Sequence, residues 1–436
     1  MASRKNTSHE SVPRRRWRIA ALLGFGILVS YFDRVNLSVS KEALHDAFGM
    51  TAVVFGFLSS AYNWPYAALQ LPCGLLLDRF GVRRVGIVST IIWTIASFAA
   101  ALSIGVKSLF GARLLLGIGE APTFPGTSKA TGYWFPKDER SLATAMFDSM
   151  AKFSSAIGIP ALGLVLVHFG WRANFALTGI ISVVYFTLFY AFYRNPSQDI
   201  KLSVAEREYI RRGGAQPEDP QRAAAGAPLG YLISRKKVIG LAIGYGSYNY
   251  VFYLLLTWLP AYLAEAQHLD LTRSFLYTSV PWLCATAGEL MVGGWLTDSL
   301  IQRGWNATRV RQFVLVGGTS VGLCIFGVPY AHTAQAAVMW IAFALTGLSI
   351  AAPVGWSIPS LIAPRESVGT VGGIMNLSNQ LSGIAAPIVT GFIVAATKNF
   401  QWAFLAAAVY LTIGIASYIF LLGEITPIPE PEEARQ

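Results

Sequence analysis

GLLLDRFGVRR at residues 74–84 and GWLTDSLIQRG at residues 294–304 are two versions of one phrase, 220 positions apart. Gly74 corresponds to Gly294 and Asp78 to Asp298, and basic residues follow in both. The echo runs on: WFPKDER (134–140) is answered by IAPRES (362–367), and FGWRANF (169–175) by FQWAF (400–404), with the offset held between 220 and 231. A same-direction duplication of this length predicts two like bundles with a ligand site between them at the membrane midplane.

The membrane follows from composition. Of 436 residues 54% are hydrophobic and only 13% charged, and the apolar residues come in blocks of about 20, the length that spans a bilayer as a helix. Twelve blocks can be placed, near 17–39, 52–77, 85–105, 108–131, 141–167, 172–193, 236–264, 274–297, 310–330, 335–358, 370–397 and 400–422. They are continuous and rich in Gly, Ala and Leu, not short and alternating, so the predicted class is an all-α membrane protein and not a β-barrel. The repeat divides it into an N-terminal tail (1–16), a six-helix bundle (17–193), a central loop (194–235), a second six-helix bundle (236–423) and a C-terminal tail (424–436). In the central loop LSVAEREYI reads as a short helix with Ser203 and Glu206 in capping-box spacing, and the rest reads as linker.

The net charge of +11 does not point to nucleic acid, because its placement is topological. Of the 34 Lys and Arg residues, 25 fall on the side holding both termini, five on the opposite side, and four within spans. Positive charge collects on the cytoplasmic side of a membrane protein, so both termini are expected in the cytoplasm. RRRWRIAALLGFGILVS imitates a signal peptide, yet no small-residue cleavage site follows, so it reads as a retained first span. Cys73, Cys284 and Cys324 lie within spans without paired spacing, as packing residues, and no metal site or cofactor motif is visible.

Charged side chains at mid-bilayer depth cost roughly 2.5–3.5 kcal/mol each, so those that are present mark a pathway. The chain has Asp33 and Arg34 in span one, Arg113 and Glu120 with Lys129 in span four, Asp148 and Lys152 in span five, and Glu289 in span eight. Arg113 and Glu120 are seven residues apart and share a helix face. Asp148 and Lys152, spaced i, i+4, can pair within their own helix. Asp33 and Arg34, being adjacent, face different directions. Most of these charges lie in the first half, which is where coupling to protons is expected, with polar and aromatic contacts from the second half.

With Gly74, Asp78, Arg79, Gly81, Arg83 and Arg84 after the second of twelve spans, and a degraded copy at Gly294 and Asp298 after the eighth, the chain resembles the major facilitator superfamily over essentially its whole length. Asp78 at its helix end is then expected to pair with cations or a helix N-terminus and latch the halves. YFDRVNLS, NWPYAALQLPCG, RLLLGIGEAPTFPG, TWLPAYL and PVGWSIPS, in this order, resemble the anion:cation symporter family of hexonate and hexuronate permeases. That resemblance implies protonation at Asp33 and Glu120, anion binding or charge networking at Arg34, Tyr66 and Arg113, and substrate-facing Trp356, Ser357 and Asn376. Lys152 departs from the uncharged polar residue usual for sugar-acid carriers. An unpaired cation there favours a doubly charged anion such as sulfoacetate or a dicarboxylate over a monoanionic hexonate, a preference that fails if Asp148 neutralises it.

The expectation is therefore a monomeric multi-pass protein of the inner membrane, importing a small organic anion with protons by alternating access. Alternatives are a sugar-acid symporter specifically, a membrane anion sensor, and a proton-exchanging drug exporter, the last disfavoured by the interior Arg and Lys. An enzyme is not expected: no nucleophile–base pair, metal cluster or nucleotide loop is apparent.

Overall fold

The computed structural model describes residues 14–136, 139–215, 218, 227–364 and 367–430. Long apolar helices dominate, because a segment in hydrocarbon must satisfy its own backbone hydrogen bonds. Among the described residues eight helices are long and apolar enough to cross a membrane, and with merged helices divided and broken ones joined as follows, twelve segments run in order. Span one is Arg15–Val39 and span seven Lys236–Glu265. Span two begins as Ala52–Ala61 and Asn63–Ala68 and continues into Gln70–Ala101, which also contains span three. Gly81, at φ 77° inside that helix, reverses the chain where 78–84 had been expected as a loop. Only glycine takes this φ without steric cost. Spans five and six are likewise one run, Arg140–Phe192, divided at Gly170 (φ 80°).

Span four is broken between Glu120 and Thr123, at Pro122. Span eight changes to a π-helical stretch over Glu289–Leu296 before ending as Thr297–Gln302. Span nine is Ala307–Val321 continued by Gly322–Tyr330, span ten Ala334–Ser357, span eleven Val368–Thr397 and span twelve Gln401–Ser417 with Tyr418–Leu422.

The two halves close on each other at the end of the bundles away from the chain termini. There span two meets span eleven with almost no space between backbones: a Cβ on Gly56 would lie 2.5 Å from the Pro387 carbonyl oxygen, and one on Gly391 2.6 Å from that of Ala52. Phe55 packs edge-on against Trp258 at 5.0 Å, Ser38 Oγ donates to Thr257 O at 2.8 Å, and Lys41 pairs with Glu265. Between spans five and eight, Gly163 receives the Phe275 ring. Gly56→Val is therefore expected to open this end. Overpacking costs roughly 1–3 kcal/mol, which shifts the closed-to-open ratio about five- to 150-fold. A cysteine at the buried Ser38 should then react that much faster with a membrane-impermeant maleimide, and an unchanged rate would show that these helices separate freely already.

The central loop is less of a linker than its composition indicates. Val204–Arg212 is a helix whose first turn is capped by Ser203, as its Oγ accepts from Glu206 N–H at 3.2 Å. The Glu206 side chain does not complete the box. It turns instead to the start of span one, accepting the N–H groups of Arg15 (3.1 Å) and Arg16 (3.0 Å) and pairing with Arg16 Nη1 at 3.1 Å. A carboxylate at a helix N-terminus satisfies orphan donors and opposes the positive end of the dipole. Arg16 also binds Glu139 at 2.6 Å, which holds the Glu139 carboxyl below its ordinary range, and Arg15 binds Asp199 at 2.9 Å. Residues 199–212 thus belong physically to the first half.

Candidate functional site

Two glycines set the geometry. A Cβ on Gly117 would stand 2.1 Å from the Tyr62 carbonyl oxygen, and one on Gly119 2.6 Å from Trp93 N. Their absence lets spans two and three press against span four at one level, and this brings Glu120 up to span one. There Arg34 donates from Nε (3.0 Å) and Nη2 (2.9 Å) to the single oxygen Glu120 Oε2, which also accepts from Ser30 Oγ at 2.9 Å. Glu120 Oε1 is buried and takes no hydrogen bond. Tyr31, Tyr62 and Tyr66 set their rings around the guanidinium, at 4.2, 4.8 and 5.6 Å. Aromatic faces hold a cation by their quadrupole without neutralising it.

Arg113 shares this environment, as its spacing from Glu120 predicts, but Glu120's ion-pair partner is Arg34. Arg113 Nη1 donates instead to the backbone carbonyl of Asp33 at 2.9 Å, its guanidinium lies 5.4 Å from the Tyr62 ring, and its Nε is buried without a partner. The Asp33 carboxylate points the other way, into the first bundle, where it accepts from Trp93 Nε1 (2.5 Å), Ser97 Oγ (2.9 Å) and Ser182 Oγ (3.4 Å). The neighbours in the DR pair therefore serve two separate compartments. A small gap beside Arg34 and Arg113 is closed from the second half by Tyr253, Leu256 and Thr257. Across it Tyr62 and Tyr253 join their hydroxyls at 2.5 Å.

A second cluster spans the halves. Lys152 Nζ lies 2.9 Å from Asp148 Oδ2 and 3.0 Å from Glu289 Oε2. Of the two readings left open for Lys152, the structure shows the paired one: two carboxyls stand against it, one from its own helix and one from span eight. Trp356 reaches toward this cluster through Tyr245, at 5.6 Å, and Tyr248, 5.2 Å further on, while remaining 40% exposed. Ser357 spends its hydroxyl on the Val354 carbonyl, and Asn376 crosses to span two, donating to Gln70 Oε1 at 3.0 Å.

Tyr31, Tyr62, Ser30 and Trp93 contribute to the site although the sequence reading does not single them out, and Tyr253, which it takes as a packing aromatic, joins them. Tyr31 and Tyr62 carried a signal, since they lie three residues before Arg34 and four before Tyr66, helical spacings that share a face.

Within the repeated phrase, Arg83 binds the carbonyls of Tyr193 (3.0 Å) and Tyr190 (3.2 Å), closing the end of span six. Arg79 lies over the Phe80 ring at 5.3 Å, Arg84 and Asp298 are exposed, and a Cβ on Gly74 would meet nothing within 4 Å. Gly294 packs within its own helix. The Asp78 side chain, and with it the latch expected of it, lies outside the described residues.

Residues 23–387 match the family model described as Major Facilitator Superfamily. The chain is 39% identical over 425 residues to "Uncharacterized transporter YybO" of Bacillus subtilis, covering 97% of this chain and 98% of that one. It is 31% identical to "Probable galactarate/D-glucarate transporter GarP" of Escherichia coli, covering 94% and 95%. Among solved structures, a bacterial homolog of the human lysosomal transporter Spinster, in an inward-facing and occupied conformation, superposes with a TM-score of 0.71 over 94% of this chain and 97% of that one, at 15% identity. The likeness to that structure is one of fold.

Proposed function

Because this chain belongs to the Major Facilitator Superfamily, and is a multi-pass transporter of the sugar-acid and organic-anion type and not an enzyme, we propose that it takes up a sugar acid together with protons by alternating access. The observation that carries the reading is the hold of Glu120 on Arg34. Both nitrogens of the guanidinium fork that would grip a carboxylate are occupied by one carboxylate oxygen of the protein. An anion and the ionised Glu120 compete for the same donors, and a proton on Glu120 decides the competition. The proton then offsets one negative charge of the anion, and the halves close over both.

Asp33, out of reach of the substrate in its own compartment, would act as a second proton site, felt by Arg113 through its hydrogen bond to the Asp33 carbonyl. Tyr66, Arg113, Trp356, Ser357 and Asn376 would line the path. The diacid named for the Escherichia coli relative is the first substrate to test, on the strength of that likeness, and a monoanionic hexonate and sulfoacetate belong beside it, since Lys152 is already paired and selects none of them. In this reading the protein works as a monomer in the inner membrane with both termini in the cytoplasm, its closed end facing outward and the repeated phrase of residues 74–84 and 294–304 governing the cytoplasmic gate.

In proteoliposomes, an acid-outside gradient should drive accumulation of labelled D-galactarate. No accumulation of D-galactarate, D-gluconate or sulfoacetate would reject the proposal. Arg34→Lys keeps the charge but loses the fork, so calorimetry should show binding weakened about ten- to a hundredfold, the worth of one charge-assisted hydrogen bond. Unchanged affinity would remove Arg34 from the site.

A further inference from the structure

Among the described residues, one cluster of charges inside the membrane does not balance. The Arg34 cluster holds two carboxyls, Asp33 and Glu120, against two guanidiniums, Arg34 and Arg113. The second cluster holds Asp148 and Glu289 against Lys152 alone. Lys152 and Glu289 are buried at the level where spans five and eight cross, and Asp148 is largely so. An uncompensated charge in such a place costs several kcal/mol. Glu289 shows the consequence: it is fully buried, and although Lys152 stands 3.0 Å away, neither of its oxygens accepts a hydrogen bond of good geometry. Asp148 and Glu289 stand against the same Lys152 Nζ, at 2.9 and 3.0 Å, and two carboxyls gathered on one cation in a buried site cannot both ionise without cost, which a proton on one of them relieves.

The geometry points to a third proton-binding site: Asp148 of the first half and Glu289 of the second share one proton, with Lys152 balancing the remaining charge. The other ionisable groups facing it are tyrosines, Tyr31 of span one and Tyr245 and Tyr248 of span seven. None of these supplies a second cation. The proton belongs to the pair and not to one residue. Because the pair is divided between the halves, the proton is held only while spans five and eight meet here. The π-helical stretch that begins at Glu289 is a local departure of the kind that often marks a functional position. As a shared proton this site stands on its own geometry; as a coupling site of the transport cycle it rests on the function proposed above.

The test separates the two. Infrared spectra of the purified full chain, without substrate, at pH 7.5, should show a protonated-carboxyl C=O band that is lost in Glu289→Gln and lost or displaced in Asp148→Asn. Both amides match a carboxyl that already holds a proton, and each leaves Lys152 with one carboxylate, so both variants should fold. No change of the band in either variant, or failure of both to fold, would overturn the proposal. In proteoliposomes taking up D-galactarate, an internal pH dye should then report about one proton fewer per substrate for Glu289→Gln. An unchanged ratio with the infrared band lost would leave a static shared proton and overturn its role in the cycle.

Discussion

Glu120→Gln is expected to bind D-galactarate equally well at pH 6 and pH 8 and to be unable to concentrate it against a gradient. In the wild type, Glu120 Oε2 receives two guanidinium hydrogen bonds and one from Ser30, so the ionised side chain is a competitor that the substrate must displace. As pH rises, a greater fraction of Glu120 is ionised and the apparent affinity falls; as pH falls, protonated Glu120 releases Arg34 and affinity rises. An amide is never ionised, so Arg34 stays available at every pH. Hydrogen bonds to charged groups are each worth roughly 1.5–3 kcal/mol, so at pH 8 the variant should bind about tenfold or more tighter than the wild type. The same change removes the proton from the cycle, and accumulation driven by a pH gradient should disappear while exchange of labelled for unlabelled substrate continues. Calorimetry at two pH values and a paired uptake-and-exchange assay read both halves of the expectation. A wild-type affinity that does not change with pH, or a variant that still accumulates, would separate Glu120 from coupling.

How much of this was legible in the chain differs by kind of information. Hydropathy and the 220-residue echo fix how many times the chain crosses and which segments correspond, because both depend only on positions along the sequence. They do not fix how each helix is rotated about its axis. That rotation decides that Glu120 meets Arg34 when Arg113 lies on its own face, and that Lys152 meets Glu289 from the opposite bundle. Local contacts, the i, i+4 pair of Asp148 and Lys152 and the Ser203 cap, could be read directly since the helix itself brings the partners together. Glu206 shows the limit: its spacing spells a capping box, but the first turn of span one offered it two backbone donors and a guanidinium, and the distant partners won. The break of span four could be anticipated from Pro122, but not that Gly117 and Gly119 just before it are the contact surfaces that set the depth of Glu120.

Lys152→Gln separates a substrate-binding cation from a structural one. Had Lys152 stood free toward the cavity, the substitution would weaken a dianion such as sulfoacetate and spare a monoanion such as D-gluconate. With Asp148 at 2.9 Å and Glu289 at 3.0 Å, it strands two buried carboxyls instead, and breaking a buried pair on one side costs roughly 3–5 kcal/mol. The expected result is a large drop in thermal stability, measured on detergent-purified protein, with affinities for sulfoacetate and D-gluconate reduced by the same factor in whatever fraction remains folded. Adding Asp148→Asn should recover most of the stability, because the remaining carboxyl, Glu289, can then become neutral by taking the proton alone. A double-mutant cycle over Lys152 and Asp148 isolates that recovery from unrelated losses. Selective loss of sulfoacetate binding, with stability intact, would reverse the assignment: Lys152 would then leave its carboxyls for the substrate, and dianions would be preferred over the monoanionic hexonates.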